Sequence, residues 1–390
     1  MKKLQANLSY SLIHAAMWGM YAIIFAFAKP LLEKQGLTDI QCSIVLGTTA
    51  AASVLLNVVI SELVSRIKKL KLFAMTLLVG GLILIGLGAM LTSGAPVVLA
   101  GISVVLSLLQ LIPGMCNSIG MDAIAKGAPA TYSIARGTGS LFYAISAFVA
   151  GMLDQTGLVI LSIGLGVALI IGVVWFHFCA ERGLAEVEET AKAVEKKDNF
   201  LMKNPRFSLF LVGATFLCIS HFFVCTFMWD VVVNLRLGDE AVNNSVLGTA
   251  TAISAFVELP IMFGFSFLAK KIKVQTMLKF AAIMFLAKTL GLFFATGSVG
   301  IYAAQATQVI GYGLYAITSV TYAGKVMGKE DAVRAQSYLA ATISLGNVVA
   351  MSTGGVIIGL MGVKVMLLAA TGCALAGALF VLFTVKETQE

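Results

Sequence analysis

The sequence predicts an all-α membrane protein with twelve transmembrane helices in two pseudo-symmetric six-helix halves. Three observations lead to this fold class: the hydrophobicity of the chain, the recurrence of long apolar runs, and a repeat that relates the halves. Hydrophobic residues make up 59% and charged residues 12% of the 390 residues, and the mean hydropathy is +0.95. A soluble domain of this length requires more polar surface, so the chain is predicted to lie in a lipid bilayer.

Apolar runs of about 20 residues, the length that crosses a bilayer, recur along nearly the whole chain. The twelve predicted spans lie at 8–29, 42–62, 72–92, 97–118, 135–153, 157–179, 207–229, 243–265, 276–296, 299–322, 334–358 and 363–384. The longest polar stretch, ERGLAEVEETAKAVEKKDNFLMKNPR, follows the sixth span and predicts a solvated linker. The predicted domains are therefore an amino-terminal half at 1–179, a linker at 180–206 and a carboxyl-terminal half at 207–390.

The net charge of +8 is distributed unevenly over the predicted loops. Basic residues concentrate on alternate loops, namely Lys2, Lys3, Arg66, Lys68, Lys69, Lys71, the linker, Lys270, Lys271, Lys273, Lys325 and Lys329. By the positive-inside rule, this pattern predicts a multi-pass protein of the cell (inner or plasma) membrane with both termini in the cytoplasm. The basic charge is thereby explained by topology, and no nucleic-acid partner is predicted.

The two halves resemble each other in sequence. SIVLGTTAAASVLLNVV at 43–59 parallels SVLGTATAISAFVELPI at 245–261, and His14 of the first span parallels His221 of the seventh. Matches in the same order indicate duplication. Repeated halves with a solute site between them are the architecture of alternating-access carriers.

The stretch AFVELPIMF places Glu258 inside an apolar run, two residues before Pro260. Insertion of an acid at this depth costs about 2.5–3.5 kcal/mol, so Glu258 is expected to face a cavity or a partner. Candidate partners of opposite charge are Arg136 in the fifth span and Lys288 in the ninth. A further acid, Asp122, ends the fourth span. The alternatives are snorkelling to the interface for Arg136 and Asp122, and a structural ion pair for Lys288.

Polar and aromatic residues follow one face of two predicted spans. In the tenth span these are Gln305, Gln308, Tyr312, Tyr315, Ser319 and Tyr322, and in the first span Tyr10, His14, Trp18 and Tyr21. Such faces suit hydroxylated or heterocyclic ligands, and helix packing is the alternative. The few histidines and the scattered cysteines lack metal-ligand spacing, so neither a metal nor another cofactor is predicted.

On these residues the chain resembles the major facilitator superfamily, and within it the oligosaccharide:proton symporters typified by lactose permease and their nucleoside-symporter relatives. In ARGTGSLFY, Arg136 falls at the sugar-binding arginine of that group and Tyr143 at the aromatic residue that stacks on the sugar. The resemblance implies that Asp122 pairs with this arginine and that Glu258 binds sugar hydroxyls. Lys288 stands where the group has an arginine on the ninth helix.

The tenth helix departs from that group. Gln308 and Gly311 occupy the positions of its histidine and coupling glutamate, so proton coupling would have to use Glu258, Asp122, Asp230 or His221. The residues predicted to bind the substrate are Arg136, Tyr143, Glu258, Asp122, Gln308, Tyr312, Tyr315, Trp18 and His14. Lys288 is predicted as a charge partner.

The predicted function is secondary active transport by alternating access, with proton-coupled uptake of a sugar, an oligosaccharide or a nucleoside by a monomer. The partners are then a small polar solute, protons and the lipid bilayer. Two alternatives remain open: an efflux pump for amphiphilic compounds, and a non-transporting membrane sensor or assembly partner. An enzyme is the least supported class, because the sequence contains no reactive cluster or nucleotide-binding loop.

Overall fold

The computed structural model describes residues 2–65, 69–92, 94–181 and 200–386, and within these ranges the regular elements are all helical. The α-helices are α1 Lys2–Ala26, α2 Ala28–Glu33, α3 Asp39–Ser65, α4 Lys69–Ala89, α5 Ala95–Leu109, α6 Ile112–Ala125, α7 Tyr132–Ala150, α8 Gln155–Phe176, α9 Phe200–Lys203, α10 Pro205–Thr226, α11 Met228–Asn234, α12 Glu240–Phe256, α13 Glu258–Leu268, α14 Val274–Phe294, α15 Ser298–Ala306, α16 Tyr312–Met361 and α17 Val363–Thr384. A π-helical turn, His177–Glu181, follows α8, and a 3₁₀ turn, Thr307–Val309, precedes α16. Most of the predicted linker at 180–206 lies outside the described residues.

Ten helical segments in the described ranges are long and apolar enough to cross a membrane. The predicted all-α membrane class is therefore confirmed, whereas the count of twelve stays a prediction. The predicted spans at 135–153 and 299–322 are not among the ten. Arg136 and several hydroxyl residues lower the hydropathy of α7, and the 3₁₀ turn interrupts the second of these spans.

The predicted loop between the tenth and eleventh spans is helical, because it lies inside α16, which is 50 residues long. A straight α-helix rises about 18 Å over the twelve residues from Gly324 to Gln336. A β-carbon placed on Gly324 would nevertheless lie 3.8 Å from Nε2 of Gln336. The axis of α16 therefore bends sharply between these two residues.

Contacts within the chain define two compact units. The first consists of Met1–Ala28 with Ala51–Asp198, and the second of Lys29–Ala50 with Asn199–Glu390. The second unit thus includes nearly all of α2 and the first turns of α3. In the chain, this segment lies between two parts of the first unit, namely α1 and the remainder of α3. The domain boundaries predicted at 179 and 207 stay a prediction.

In the first unit, α1 packs against α7 and α8. The contact between α1 and α7 is close at Gly139, where a β-carbon would lie 2.5 Å from Cδ1 of Trp18 and 3.1 Å from the carbonyl oxygen of His14. Since a glycine allows this approach, α7 can present Arg136 directly to the aromatic face of α1.

Gly139→Ala is expected to lower the free energy of unfolding by about 1–3 kcal/mol, the usual cost of overpacking a core. The reason is that the added methyl group meets the rigid Trp18 indole and the backbone of α1. Thermal unfolding of the purified protein in detergent measures the effect. Gly164→Ala on α8 is the control, because no side chain or neighbouring helix among the described residues lies within 4 Å of its β-carbon position. Equal melting temperatures for the two variants would contradict the prediction.

In the second unit, α10 packs against α16 and α17, and α14 packs against the same two helices. The predicted eighth span is interrupted, because α12 ends at Phe256 and α13 begins at Glu258. Pro260 lies in the first turn of α13, where its missing backbone N–H is tolerated but cannot continue the hydrogen bonding of α12. The interruption places Glu258 at a helix start.

Candidate functional site

A chain of hydrogen bonds joins Glu258 to Lys288 through Gln308. Nε2 of Gln308 donates to Oε1 of Glu258 at 2.9 Å, and Nζ of Lys288 donates to Oε1 of Gln308. Gln308 and Lys288 are buried, whereas Glu258 is half-buried. The amide can serve both neighbours because its oxygen only accepts and its nitrogen only donates hydrogen bonds.

Two helix interruptions hold this chain in place. Glu258 starts α13, while Gln308 lies in the 3₁₀ turn between α15 and α16. The two junctions pack closely, since a β-carbon at Gly313 would lie 3.0 Å from Cγ of Glu258. Polar side chains at interrupted membrane helices are a common basis of solute sites in carriers.

A small cavity of about 10 Å³ adjoins the chain, which is room for about one water molecule. Its polar lining comes from Ser220, His221, Lys288, Thr289, Thr307, Gln308 and Tyr312. The His221 ring stacks on Tyr312 with ring centroids 3.8 Å apart and planes at 5°. The buried Ser220 hydroxyl has no hydrogen-bond partner among the described residues. This side of the second unit therefore combines stacked rings with hydrogen-bonding groups.

Gln308→Leu is expected to destabilise the second unit by about 1.5–3 kcal/mol, the range for hydrogen bonds to charged groups, because the buried Lys288 ammonium loses its acceptor. Gln305→Leu is the matched control. Gln305 is also buried, one turn earlier, but its side-chain oxygen has no hydrogen-bond partner within the described ranges. Chemical or thermal unfolding in detergent distinguishes the two variants. A loss for Gln305→Leu equal to that for Gln308→Leu would contradict the role of the bridging amide.

In the first unit, Arg136 of α7 lies over Trp18 of α1, with Cζ 4.5 Å from the ring centroid. Nη1 of Arg136 donates to Oγ of Ser140 at 2.7 Å. Stacking on an aromatic face and a planar fork of N–H donors are properties that lysine does not share. The guanidinium is half-buried beside the indole ring.

Several polar atoms of the α1 face that carries Trp18 are buried and have no hydrogen-bond partner in the described part of the chain. His14 is fully buried between Tyr10 and Tyr132, at ring-centroid distances of 4.8 and 5.7 Å, and both of its imidazole nitrogens are among these atoms. The Trp18 indole nitrogen and the Tyr10 hydroxyl are the others on this face. Buried polar groups are usually hydrogen-bonded, so this face is suited to a ligand or to water. The polar face predicted on the first span is therefore largely buried.

Three predicted residues take other positions. Asp122 pairs with Lys126, one turn further along α6, at 2.5 Å. The pair with Arg136 that the resemblance implied is not formed by these described side chains, because Lys126 satisfies the carboxylate locally. Tyr143 is half-buried on α7, and Tyr315 is buried inside the second unit.

Asp230, predicted only as a proton-coupling candidate, lies in a buried charged cluster on α11. Its partner is Lys29, which also contacts Glu33 and Asp39. Sequence reasoning missed Lys29 as a candidate site residue. The signal was the presence of Glu33 four residues later, at helical spacing. Burial raises the pKa of the Asp230 carboxyl to about 7, although the Lys29 ammonium acts to lower it.

Apolar helices of bilayer length, two of them interrupted beside polar side chains, define an all-α membrane protein. The chain belongs to the MFS_1-like family of the major facilitator superfamily, whose model matches residues 7–369. The predicted superfamily membership is thereby confirmed. Members of this family are membrane transporters, so the protein is a membrane transporter and not an enzyme.

Solved structures show the same fold. A variant of the nucleoside transporter NupG is 13% identical with a TM-score of 0.78, covering 99% of this chain and 100% of that one. The unmodified NupG transporter has the same identity and coverage, with a TM-score of 0.75. A bacterial homologue of the human lysosomal transporter Spinster, inward-facing and unoccupied, is 14% identical with a TM-score of 0.66, covering 98% and 95% of the two chains. No curated protein sequence matches the chain.

Proposed function

We propose that the protein is a secondary transporter that takes up a nucleoside, or a sugar of similar polarity, together with protons. The hydrogen-bonded chain from Glu258 through Gln308 to Lys288 carries this proposal. A half-buried carboxylate oriented by a buried amide is pre-organised to accept hydrogen bonds from sugar or ribose hydroxyls. If Glu258 and Lys288 formed only a structural ion pair, the Glu258 carboxylate would not need to remain half-exposed.

The preference for nucleosides rests on the aromatic groups. In the second unit, Tyr312 stacks on His221 and lines the same cavity as Lys288 and Gln308. In the first unit, Trp18 lies against Arg136, and Tyr143 is half-buried two turns further along α7. Flat aromatic faces stack on nucleobases as well as on sugar rings. The likeness to NupG, a nucleoside transporter, points to the same class.

Proton exchange is proposed at Glu258, because a carboxylate that changes charge also changes its ability to accept hydroxyl hydrogen bonds. Solute affinity and proton occupancy would then be linked. We further propose twelve spans, cytoplasmic termini in the cell membrane and a monomeric carrier, on the basis of the loop charges and the apolar runs.

Uptake into proteoliposomes tests the proposal. Radiolabelled purine and pyrimidine nucleosides and a panel of mono- and disaccharides are offered with and without an acid exterior. Nucleoside uptake above that of protein-free liposomes, increased by the gradient, is expected. Uptake that does not depend on the pH gradient would refute the proposal of proton coupling. If neither nucleosides nor sugars were transported, the proposed substrate class would be refuted.

A further inference from the structure

Four charged residues at adjoining ends of α2, α3 and α11 form a cluster around one ammonium group. Nζ of Lys29 lies 2.6 Å from Oδ1 of Asp39 and 3.4 Å from Oε1 of Glu33, and it also contacts Oδ1 of Asp230. Lys29 is 1% exposed and Asp230 is 7% exposed. All four residues belong to the second unit. The cluster thus joins the Lys29–Ala50 segment to α11.

The charges in this cluster do not balance. One ammonium faces three carboxylates, whose oxygens lie within 4.8 Å of one another. The Asp230 carboxylate is buried, while those of Glu33 and Asp39 are partly exposed. Like charges held this close to a buried carboxylate raise the cost of keeping it ionised. The second oxygen of Asp230, Oδ2, is buried and has no hydrogen-bond partner among the residues that the structure describes. This atom is therefore a place for a proton.

Neighbouring groups leave the surplus charge uncompensated. Oε2 of Glu33 accepts a hydrogen bond at 2.7 Å from the Trp229 indole. The indole is neutral, so it adds no positive charge. On α12, Glu240 pairs with Lys34 at 2.5 Å and so neutralises that lysine. Among the described residues, the charges that act on Asp230 are those of Lys29, Glu33 and Asp39.

We propose that this cluster is a proton-binding site, in which Asp230 takes up one proton when α2 and the start of α3 close on α11 and releases it when they part. The cluster is separate from the Glu258 chain, and the proposal stands whichever solute is carried. Water supplies and receives the proton, and the Asp230 carboxylate becomes a neutral carboxylic acid.

The sign of the pH dependence follows from the raised pKa. Burial holds the pKa of Asp230 near 7 in the closed cluster, against 3.8 for a carboxyl group in water. The closed arrangement is therefore most favoured below about pH 4 and loses this contribution as the pH rises through about 7. Closing takes up a proton within this window.

The start of α3 is well placed to report the change. It is held on α16 by Ser43, whose Oγ accepts from the backbone N–H of Gly355 at 2.7 Å. Cys42, beside this contact, is fully buried. The Cys42 thiol becomes accessible to a membrane-impermeant reagent only if the segment moves.

Infrared difference spectra of the purified full-length protein between pH 5 and pH 8 test the proton site directly. A carbonyl band of a protonated carboxyl group is expected to titrate with a midpoint near pH 7, and Asp230→Asn is expected to abolish it. Glu258→Gln is expected to leave this band in place, which distinguishes the cluster from the proposed solute site. Persistence of the band in Asp230→Asn would overturn the proposal.

A second variant keeps the test decisive if Asp230→Asn does not fold. Glu33→Gln removes a repelling charge from a partly exposed position, so the midpoint is expected to move to lower pH. An unchanged midpoint would overturn the proposal. In a variant whose only cysteine is Cys42, labelling corrected for thiolate fraction is expected to rise severalfold from pH 5 to pH 8. Constant labelling would exclude the coupled movement.

Discussion

Glu258→Gln is expected to reduce nucleoside uptake by about 10- to 100-fold, from the loss of charge-assisted hydrogen bonds worth about 1.5–3 kcal/mol. The carboxylate offers two acceptor oxygens, one of which already accepts from Gln308. A glutamine amide keeps one acceptor oxygen and adds donors, so it cannot bind the bridging amide and a solute hydroxyl in the same way. Initial uptake rates and solute counterflow in proteoliposomes measure the effect.

The two assays separate the roles of Glu258. Retained counterflow with lost accumulation would assign the residue to proton coupling, and loss of both would assign it to binding. Glu240→Gln is the control, because Glu240 lies at the start of the preceding helix in an exposed pair with Lys34. Wild-type behaviour of Glu258→Gln in both assays would exclude the carboxylate from transport.

Arg136→Lys is expected to weaken solute affinity by about 10-fold or more, although the positive charge is kept. The variant loses the planar fork of donors and the stacking on Trp18. Binding of the transported nucleoside to the detergent-solubilised protein, measured by calorimetry or by scintillation proximity, provides the affinity.

Arg236→Lys is the matched control for this change, since Arg236 is exposed between α11 and α12. If Arg136→Lys bound the solute with wild-type affinity, the guanidinium would act only as a positive charge. A general loss of folding is detected by the melting temperature, which is expected to change by only a few degrees.

The fold class could be predicted from sequence because its cause is local. Each apolar run such as 157–179 carries the length and composition that a bilayer requires, independently of its neighbours. The continuation of α16 through residues 323–333 could not be predicted, because charged residues such as Lys325 and Lys329 are typical of a loop between two spans.

The candidate site was only partly predictable. Glu258, Gln308 and Lys288 were each identifiable as polar residues at membrane depth, but their order in the hydrogen-bonded chain depends on three helices that meet in space. The Lys29 cluster was missed for the same reason, since its strongest partner, Asp230, lies 201 residues away.

The interrupted helices have a mechanical consequence. The regular helix is interrupted where α12 gives way to α13 and where α15 gives way to α16. The two junctions meet at Glu258 and Gln308. A solute bound to the Glu258 carboxylate would therefore act on both junctions at once, and a change of angle at one junction would be passed to the other.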